Sequence, residues 1–286
     1  MTLNRLTPFS MDEALALCSK HREKAKIIGG GTDLMVQIKK NTLPAEVLIG
    51  LENIRGLRVI SYDQSSGLSI GAMTSVEAIE KSALVMKEAA VLAAAAGTLG
   101  NPLIRKTATI GGNLCNASPS ADLAPACLVL GAKLKIAGPE GEKVVDIDDF
   151  FTGPGETILA PDEILTQIII PPLPAQARGV YLKSTRSKGA DLAQVGVAVM
   201  VAPAGGLIED IKIALGAVAP RPIRAKRAEE ALRGKEWDDR TIEEACRLAS
   251  LEASCISDAR ASAAYREKLI PVMLERAVKQ AVAAAP

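Results

Sequence analysis

Two glycine-rich segments carry the residue types that could hold a small anionic ligand. They read GGGTD at residues 29–33 and TIGGN at residues 109–113, and each follows apolar residues. Glycine lets several backbone N–H groups point into one concavity, and the hydroxyls of Thr32, Thr109 and Ser118 add donors. A diphosphate fits such a cradle, because backbone amides can meet its charge without a lysine. The same segments are also consistent with two tight turns, since glycine most often marks turns.

Neither segment completes a familiar nucleotide-binding signature. Gly29 and Gly31 supply the first half of the G-x-G-x-x-G fingerprint, but Leu34 occupies the third glycine position. The G-x-x-x-x-G-K-[ST] pattern of a P-loop is absent from the chain. Spacing alone therefore leaves two interpretations open, one phosphate-containing ligand or a pair of structural turns.

Few other residues could support catalysis. His21 is the one histidine and lies in the charged run SKHREKAK, which indicates a solvated side chain rather than a zinc ligand or a Ser-His-Asp base. The five cysteines form no C-x-x-C pair, so we expect neither a disulfide framework nor a zinc or iron–sulfur site. A reducing, cytoplasmic location fits this cysteine pattern best.

Composition argues against several classes of partner. The chain has 34 basic and 33 acidic residues, a net charge of +1 and 2% aromatic residues. These values give no electrostatic footprint for nucleic acid or an anionic membrane, and few rings on which bases could stack. No apolar run of about 18 residues predicts a membrane-spanning helix, and the first residues lack the apolar core of a signal peptide.

The elements that must position the glycine segments follow from hydrophobic periodicity. Residues 1–56 predict a small strand–helix–strand unit, and residues 57–174 predict strands with several helices. Within the second part we expect one long helix near 83–97, an irregular segment over 99–120 and a helix from Asp122 to Gly131. Residues 175–286 predict three strands followed by three helices, so the fold class is α+β in three parts.

The segments IIGGGTDL and TIGGNLCNASPSADLAPA together resemble the FAD-binding medium subunit of the molybdenum hydroxylases, the family of xanthine dehydrogenase and aerobic carbon monoxide dehydrogenase. The segments NPLIRKTATIGGN, DEILTQIIIP, YLKSTRSKGADLAQV and DARASAAYREKLIPVMLERAV follow in family order, so the likeness covers nearly the whole chain. The resemblance implies a two-part FAD-binding domain of the VAO/PCMH type, as in MurB-like flavoproteins. It also implies a C-terminal α+β domain with a three-stranded sheet and helices.

The resemblance assigns cofactor contacts to individual residues. Residues 26–33 and 109–113 are implied to surround the FAD diphosphate, and Asp122 to contact FAD or its ribityl chain, although it could also cap the following helix. Leu99 and Leu165 match apolar contacts to the flavin, and Cys115 is expected to have a packing role rather than redox chemistry. The implied cofactor-binding residues are Lys26, Ile27, Ile28, Gly29, Gly30, Gly31, Thr32, Asp33, Leu99, Thr109, Ile110, Gly111, Gly112, Asn113, Cys115, Asn116, Ser118, Asp122, Leu165 and Lys183.

Lys183, Arg186 and Asp191 are implied to act beside the flavin ring. Lys183 matches a lysine close to the isoalloxazine, where a cation would raise the flavin potential. The stretch from Arg186 to Asp191 resembles a mobile loop next to the ring, and some relatives carry adjacent acidic residues where this chain reads SKGAD. That departure leaves the electron acceptor open. The four-cysteine insertion that carries an extra 4Fe–4S cluster in 4-hydroxybenzoyl-CoA reductase is not visible in the sequence, so we expect no metal on this chain.

The implied function is electron transfer within a larger enzyme. A small subunit with 2Fe–2S clusters would pass electrons to FAD on this chain, and a large subunit with the molybdenum cofactor would oxidise the substrate. A dimer of heterotrimers is implied as well. The alternative is a stand-alone FAD-dependent oxidase or reductase of the VAO/MurB-like class, and a third hypothesis is a non-catalytic nucleotide-binding or scaffold protein. The substrate and the terminal acceptor stay open.

Overall fold

The computed structural model describes residues 3–187, 189 and 191–283. Lys188 and Ala190, which belong to the predicted loop beside the flavin, lie outside the described residues. Along the chain the elements form three units, each with its own sheet, and the middle unit carries a further two-stranded sheet.

The first unit is a parallel three-stranded sheet with two helices. Its elements are β1 (Asn4–Leu6), α1 (Met11–His21), β2 (Ala25–Ile28), α2 (Leu34–Lys39) and β3 (Val47–Gly50), in the sheet order β1-β3-β2. α1 begins after Ser10, whose hydroxyl accepts a hydrogen bond from the Glu13 amide at 3.2 Å, the contact that the sequence S-x-x-E favours. The first glycine segment, residues 29–33, connects β2 directly to α2.

The middle unit is an antiparallel five-stranded sheet in the order β4-β5-β10-β6-β7, covered by six helices. Its elements up to the second glycine segment are β4 (Ile60–Asp63), β5 (Gly67–Gly71), α3 (Val76–Lys81), α4 (Ala83–Glu88), α5 (Ala90–Thr98) and α6 (Pro102–Thr107). The elements that follow are α7 (Ile110–Cys115), α8 (Leu123–Val129), β6 (Lys133–Gly138), β7 (Gly141–Asp146), β8 (Phe151–Gly153), β9 (Glu156–Thr157) and β10 (Ile164–Ile170).

Two predictions for the middle unit are wrong in detail. The single helix expected near 83–97 is divided at Ala89, whose φ of −150° and ψ of 52° are not helical. The segment over 99–120, expected to be irregular, contains α6 and α7. Asn101 caps α6 through its side chain, and Pro102 occupies the first turn, which is a favourable helix start. Helix α7 was not predicted because it contains Gly111 and Gly112, and glycine has a low helix propensity.

The last unit is an antiparallel sheet in the order β11-β12-β13-β14 with three helices. Its elements are β11 (Arg178–Ser184), β12 (Val195–Ala204), β13 (Leu207–Gly216), β14 (Ile223–Arg224), α9 (Lys226–Leu232), α10 (Asp239–Glu252) and α11 (Ala263–Ala283). The three predicted strands are present, and β14 adds a two-residue fourth strand at the edge beside β13. No helix within the described ranges has both the length and the apolar character needed to cross a membrane.

Three hydrophobic clusters hold these units, and they share residues across the units. Leu57, Met73 and Ile164 pack in the cluster of the first unit, while Tyr181 and Met200 of the last unit pack in the middle cluster. The units therefore meet along two seams, one between the first and middle units and one between the middle and last units. The boundaries 1–56, 57–174 and 175–286 remain predictions.

Candidate functional site

The two glycine segments contact each other although about 80 residues separate them. A Cβ atom built on Gly30 would lie 2.7 Å from the carbonyl carbon of Thr107 and closer still to its oxygen. One built on Gly29 would lie 2.7 Å from Oγ1 of Thr109. Real Cβ contacts are essentially never that short. At Gly30 the neighbours are backbone atoms, so glycine is required there if the segments are to touch, whereas a Cβ at Gly29 would displace the Thr109 hydroxyl that caps α7.

The first glycine segment presents a row of unused donors. Among the residues that the structure describes, the backbone N–H groups of residues 29–33 find no protein acceptor. Gly31 has a φ of +71°, and the chain then enters α2, whose Met35 amide bonds back to the Gly31 carbonyl. Consecutive free amides on a loop that leads into a helix make a concavity suited to an anion.

The second glycine segment uses its amides within the protein. The Ile110 amide donates to the Thr74 carbonyl at 3.1 Å, and the Gly111 amide donates to the Ala72 carbonyl at 2.8 Å. The Gly112 amide donates to Oγ1 of Thr109, which caps α7. The expectation of a loop of free amides is therefore wrong for residues 110–113, whereas the Thr109 amide finds no acceptor among the described residues. The segment is a capped helix start that approaches the first segment closely, and the cofactor contacts expected for it remain predictions.

A small cavity of about 110 Å³ lies on the seam between the first and middle units. Residues of both glycine segments line it, and the structure places the predicted Cys115 and Leu165 beside them. The complete lining is Ile27, Gly29, Leu51, Ala72, Met73, Thr109, Gly111, Gly112, Cys115, Leu159, Glu163, Ile164 and Leu165. The mixture of glycine, apolar side chains and a few polar groups is typical of a cofactor site.

Other predicted contacts surround this seam. Oδ1 of Asn116 accepts a hydrogen bond from Gln37 of α2 at 3.2 Å, which ties the end of α7 to α2. The Ser118 hydroxyl accepts from the Ser120 amide at 3.3 Å. Oδ1 of Asn113 is buried and has no hydrogen-bond partner among the described residues. A buried acceptor without a partner indicates that a donor belongs there.

The remaining predicted residues of the first unit lie on or beside the same loop. Lys26 is half-buried on β2, and Ile28 is buried at its end. The Thr32 hydroxyl lies 3.3 Å from Oδ2 of Asp33, so these two side chains face each other at the start of α2. Leu99 is buried directly after α5, on the far side of the middle unit.

Asp122 and Lys183 form a buried ion pair on the other seam, between the middle and last units. Nζ of Lys183 lies 2.9 Å from Oδ2 of Asp122, and their side chains are 5% and 4% exposed. The Lys183 ammonium also donates to the carbonyl of Thr98 at 3.0 Å. The Tyr181 hydroxyl donates to Oδ1 of Asp122 at 3.0 Å. The carboxylate of Asp122 is thus engaged across the seam rather than in capping α8.

Burial dominates the electrostatics of this cluster. It raises the pKa of the Asp122 carboxyl above its ordinary value, and the Lys183 ammonium and the Tyr181 hydroxyl offset part of that rise. Burial and the neighbouring carboxylate hold the pKa of Tyr181 well above its ordinary value, so its hydroxyl keeps its proton and acts as a donor. Removing one member of a buried pair typically costs about 3–5 kcal/mol.

A larger cavity of about 370 Å³ opens beside Lys183. Its lining combines the end of α5, the start of α6 and the loop after β11, and consists of Gly97, Thr98, Gly100, Asn101, Pro102, Lys183, Thr185 and Gly189. This volume is within the ~300–1,000 Å³ of small-molecule pockets. Lys183 thus lies between Asp122 and an open space, which is where a charged group could influence a bound ring.

Arg186 and Asp191 lie on the loop that follows β11, where Arg186 is exposed and Asp191 is half-buried. Nη1 of Arg186 donates to the carbonyl of Ala259 at 3.5 Å, which is a long bond. The Asp191 carboxylate accepts from the Ser187 hydroxyl at 3.3 Å and from the Leu192 amide at 2.9 Å. Arg186 is thus bonded to a distant carbonyl and Asp191 to its own loop, and the roles expected for them beside a flavin remain predictions.

Sequence reasoning missed Tyr181 and the backbone of Thr98. A signal for Tyr181 was present, since alternate residues of a strand share a face and Tyr181 precedes Lys183 by two positions. The contribution of Thr98 is a carbonyl at the end of α5, and the partner of a backbone carbonyl cannot be read from residue type.

The cysteines are free thiols throughout the described chain. Burial raises the pKa of Cys115 to about 12, which makes its thiol a poor nucleophile at neutral pH. Within residues 3–187, 189 and 191–283 no group of three or more His, Cys, Asp or Glu side chains is placed to hold a metal ion.

Comparison with known families matches nearly the whole chain. The profile described as "FAD binding domain in molybdopterin dehydrogenase" matches residues 2–173, and "CO dehydrogenase flavoprotein C-terminal domain" matches residues 180–281. The chain is 32% identical over 263 residues to the xanthine dehydrogenase FAD-binding subunit of Escherichia coli O157:H7, covering 92% of this chain and 90% of that one. It is 33% identical over 278 residues to the carbon monoxide dehydrogenase medium chain of Afipia carboxidovorans, covering 97% and 96%.

Solved structures agree with these matches. A chain of carbon monoxide dehydrogenase from Hydrogenophaga pseudoflava, in a form lacking the Mo-pyranopterin moiety of its cofactor, superposes with a TM-score of 0.97 at 32% identity, covering 100% of this chain and 99% of that one. A chain of quinoline 2-oxidoreductase from Pseudomonas putida 86 superposes with a TM-score of 0.93 at 29% identity, covering 100% and 98%. The predicted α+β fold, with its separate C-terminal domain, is confirmed.

Proposed function

This chain belongs to the family of FAD-binding medium subunits of the molybdenum hydroxylases, and from that premise we propose that it binds FAD along its glycine segments and transfers electrons within a heteromeric oxidoreductase. The observation that carries this proposal is the row of amides at residues 29–33, which find no acceptor among the described residues and are held against the second glycine segment.

The residues present fit FAD. A diphosphate needs several donors and a close backbone approach, and residues 29–33 offer free amides where Gly29 and Gly30 leave no room for a Cβ atom. Oδ1 of Asn113 is buried and has no partner among the described residues, so it is available to accept a hydrogen bond from the cofactor. When bound, FAD supplies a carrier that stores two electrons and exchanges them with one-electron partners.

The proposal gives each part of the chain one task. Residues 29–33 bind the diphosphate through their amides, and α7 packs behind them to fix the loop. Leu165 and Cys115 line the small cavity and keep water away from apolar parts of the cofactor. Lys183 and Asp122 set the charge beside the large cavity.

The proposed partners are a large subunit that binds the molybdenum cofactor and a small subunit that holds 2Fe–2S clusters. The relatives named as medium chains, a term that implies larger and smaller companions, support this assignment. We propose a dimer of heterotrimers and a cytoplasmic location, the latter in agreement with five free thiols. No nucleic acid partner is expected from a net charge of +1.

Native purification through an affinity tag on this chain tests the proposal. Flavin, molybdenum and iron are quantified, and co-purifying chains are identified by mass spectrometry. We expect FAD together with two further chains, one containing molybdenum and one containing iron and sulfide. A chain that purifies alone and whose FAD is reduced directly by a small organic donor would instead establish the stand-alone oxidase or reductase. A colourless chain that binds no added FAD would favour the scaffold hypothesis.

A further inference from the structure

The strand β11 presents two different faces to the molecule. Val180 and Leu182 pack against the core of the last unit. Tyr181 and Lys183 alternate with them and point across the seam into the middle unit, where they meet Asp122. Gly179 allows this approach, because a Cβ there would lie 2.7 Å from Cβ of Val91 on α5.

The three side chains form a closed hydrogen-bonded set. Each oxygen of the Asp122 carboxylate has one donor, the Tyr181 hydroxyl at 3.0 Å and the Lys183 ammonium at 2.9 Å. The ammonium has a second acceptor in the carbonyl of Thr98, at the carboxyl end of α5, where the helix dipole favours a cation. Lys183 is thereby held from two sides, and its charge is balanced by a carboxylate.

The pairing with Asp122 lowers the net positive charge that Lys183 presents to the large cavity. A free ammonium would present a full positive charge, whereas an ammonium paired at 2.9 Å presents the weaker field of a dipole. The position and ionisation of Asp122 decide how much positive charge remains. Tyr181 is the second donor to that carboxylate, and it is not among the residues that line the large cavity.

We propose that Tyr181 is a positioning residue of the flavin site, which anchors Asp122 so that the Asp122–Lys183 pair, rather than Lys183 alone, sets the charge beside the flavin. The inference rests on the proposed function, because it assumes that FAD occupies this chain. Without the Tyr181 hydroxyl, the Asp122 carboxylate loses one of its two hydrogen-bond donors. Its ionised form is then less favourable, so Asp122 neutralises less of the positive charge on Lys183. Loss of the hydroxyl therefore acts on the flavin in the same direction as loss of the carboxylate charge.

The test measures the midpoint potential of bound FAD at saturating FAD in the purified chain. The variants are Tyr181→Phe, Asp122→Asn, their double variant and Lys183→Met. Tyr62→Phe is the matched control, because Tyr62 lies on β4 and is 37% exposed. Each variant keeps the shape of the side chain nearly unchanged and removes a hydroxyl or a charge.

We expect Asp122→Asn to favour reduction about tenfold, which is about 30 mV for a two-electron couple. Tyr181→Phe should favour it about threefold, and Lys183→Met should shift the potential in the opposite direction. The double variant should match Asp122→Asn, because Tyr181 acts only through that carboxylate. A potential unchanged in Tyr181→Phe, or an equal shift by Tyr181→Phe in the Asp122→Asn background, would overturn the inference.

A second measurement keeps the inference testable apart from the proposed function. The same four-member cycle (wild type, Tyr181→Phe, Asp122→Asn and the double variant) is followed by urea unfolding of the flavin-free chain. Non-additive free energies of unfolding are expected for side chains in direct contact, and additive ones would show that the Tyr181 hydroxyl does not anchor Asp122. If the wild-type chain binds no FAD, the proposed function fails, while this cycle still decides whether Tyr181 and Asp122 are coupled.

Discussion

The contact between the two glycine segments can be tested with the substitution Gly30→Ala. The new Cβ would lie 2.7 Å from the carbonyl carbon of Thr107 and 2.9 Å from Cα of Ala108, where ordinary contacts begin at 3.4 Å. The Thr107 carbonyl oxygen would lie closer still to the new Cβ, and all three neighbours are backbone atoms, so the two segments must separate by about an ångström or more. Overpacking of this kind costs about 1–3 kcal/mol.

This free-energy cost weakens FAD binding, because separating the two segments moves the free amides of residues 29–33 relative to α7. At about 1.4 kcal/mol for each factor of ten, we expect FAD to bind roughly 5- to 150-fold more weakly. Fluorescence titration of the flavin-free chain with FAD gives the dissociation constant, and thermal unfolding shows whether the fold is retained.

Gly205→Ala is the matched control for this experiment. A Cβ on Gly205 would meet no atom within 4 Å, and the residue lies in the turn between β12 and β13, outside the lining of either cavity. Its φ of +57° disfavours alanine, so the midpoint temperature should fall slightly while FAD affinity stays within about twofold. A folded Gly30→Ala variant that binds FAD as tightly as wild type would refute the requirement for close contact between the segments.

Two further predictions concern the last unit and the thiols. Burial alone would raise the pKa of Asp258, but the Arg260 and Ala261 amides and the Arg266 guanidinium outweigh that effect and lower it below its ordinary value of 3.8. Its stabilising contribution is therefore complete above that value and is lost as the pH falls through the lower folded-state pKa. Asp258→Asn should destabilise the chain by about 2 kcal/mol at pH 7, because Arg266 is buried and loses its carboxylate. This difference should shrink as the pH falls through the folded-state pKa of Asp258, and a difference in urea unfolding that does not change with pH would contradict this. Burial raises the pKa of both Cys115 and Cys127 to about 12, so at pH 8 their thiols should react with a disulfide reagent at least ~100-fold more slowly than in the unfolded chain, and peptide mapping that finds Cys115 labelled first would show that it is accessible and activated.

Local chemistry made much of the fold predictable. Ser10 and Glu13 mark the start of α1 because capping depends on residues three apart, and Gly29–Asp33 read as a loop because a strand ends before it and a helix follows. Hydrophobic periodicity likewise predicted the three long strands of the last unit.

Features that depend on distant contacts were not predictable in this way. Strong helix formers flank Ala89, so propensity gave no sign of the break between α4 and α5. Residues 110–115 form a helix because Thr109 caps it and because Gly111 packs where a Cβ would lie 2.7 Å from the Ala72 carbonyl oxygen. The Thr109 cap is a local contact, but the packing of Gly111 against Ala72 is a tertiary contact, and together they override the low helix propensity of glycine.

In the candidate site, too, residue types could be predicted from the sequence and contacts between distant residues could not. The resemblance implied Asp122 and Lys183 as separate cofactor contacts, whereas their pairing joins positions 61 residues apart and follows from the packing of β11 against the middle unit. Tyr181 enters the site for the same reason. The residue types showed which side chains carry a charge, and the packing of the folded chain determines that Asp122 and Lys183 neutralise each other.

The central claim, that FAD binds through a diphosphate held by residues 29–33, is tested most directly by calorimetric titration of the purified, flavin-free chain with FAD and with FMN. FMN carries one phosphate and lacks the diphosphate and adenosine. We expect one FAD to bind per chain. FMN should bind with an affinity at least about tenfold lower, because it lacks the second phosphate that contacts the free amides. No heat of binding with FAD, or equal affinity for FAD and FMN, would contradict it.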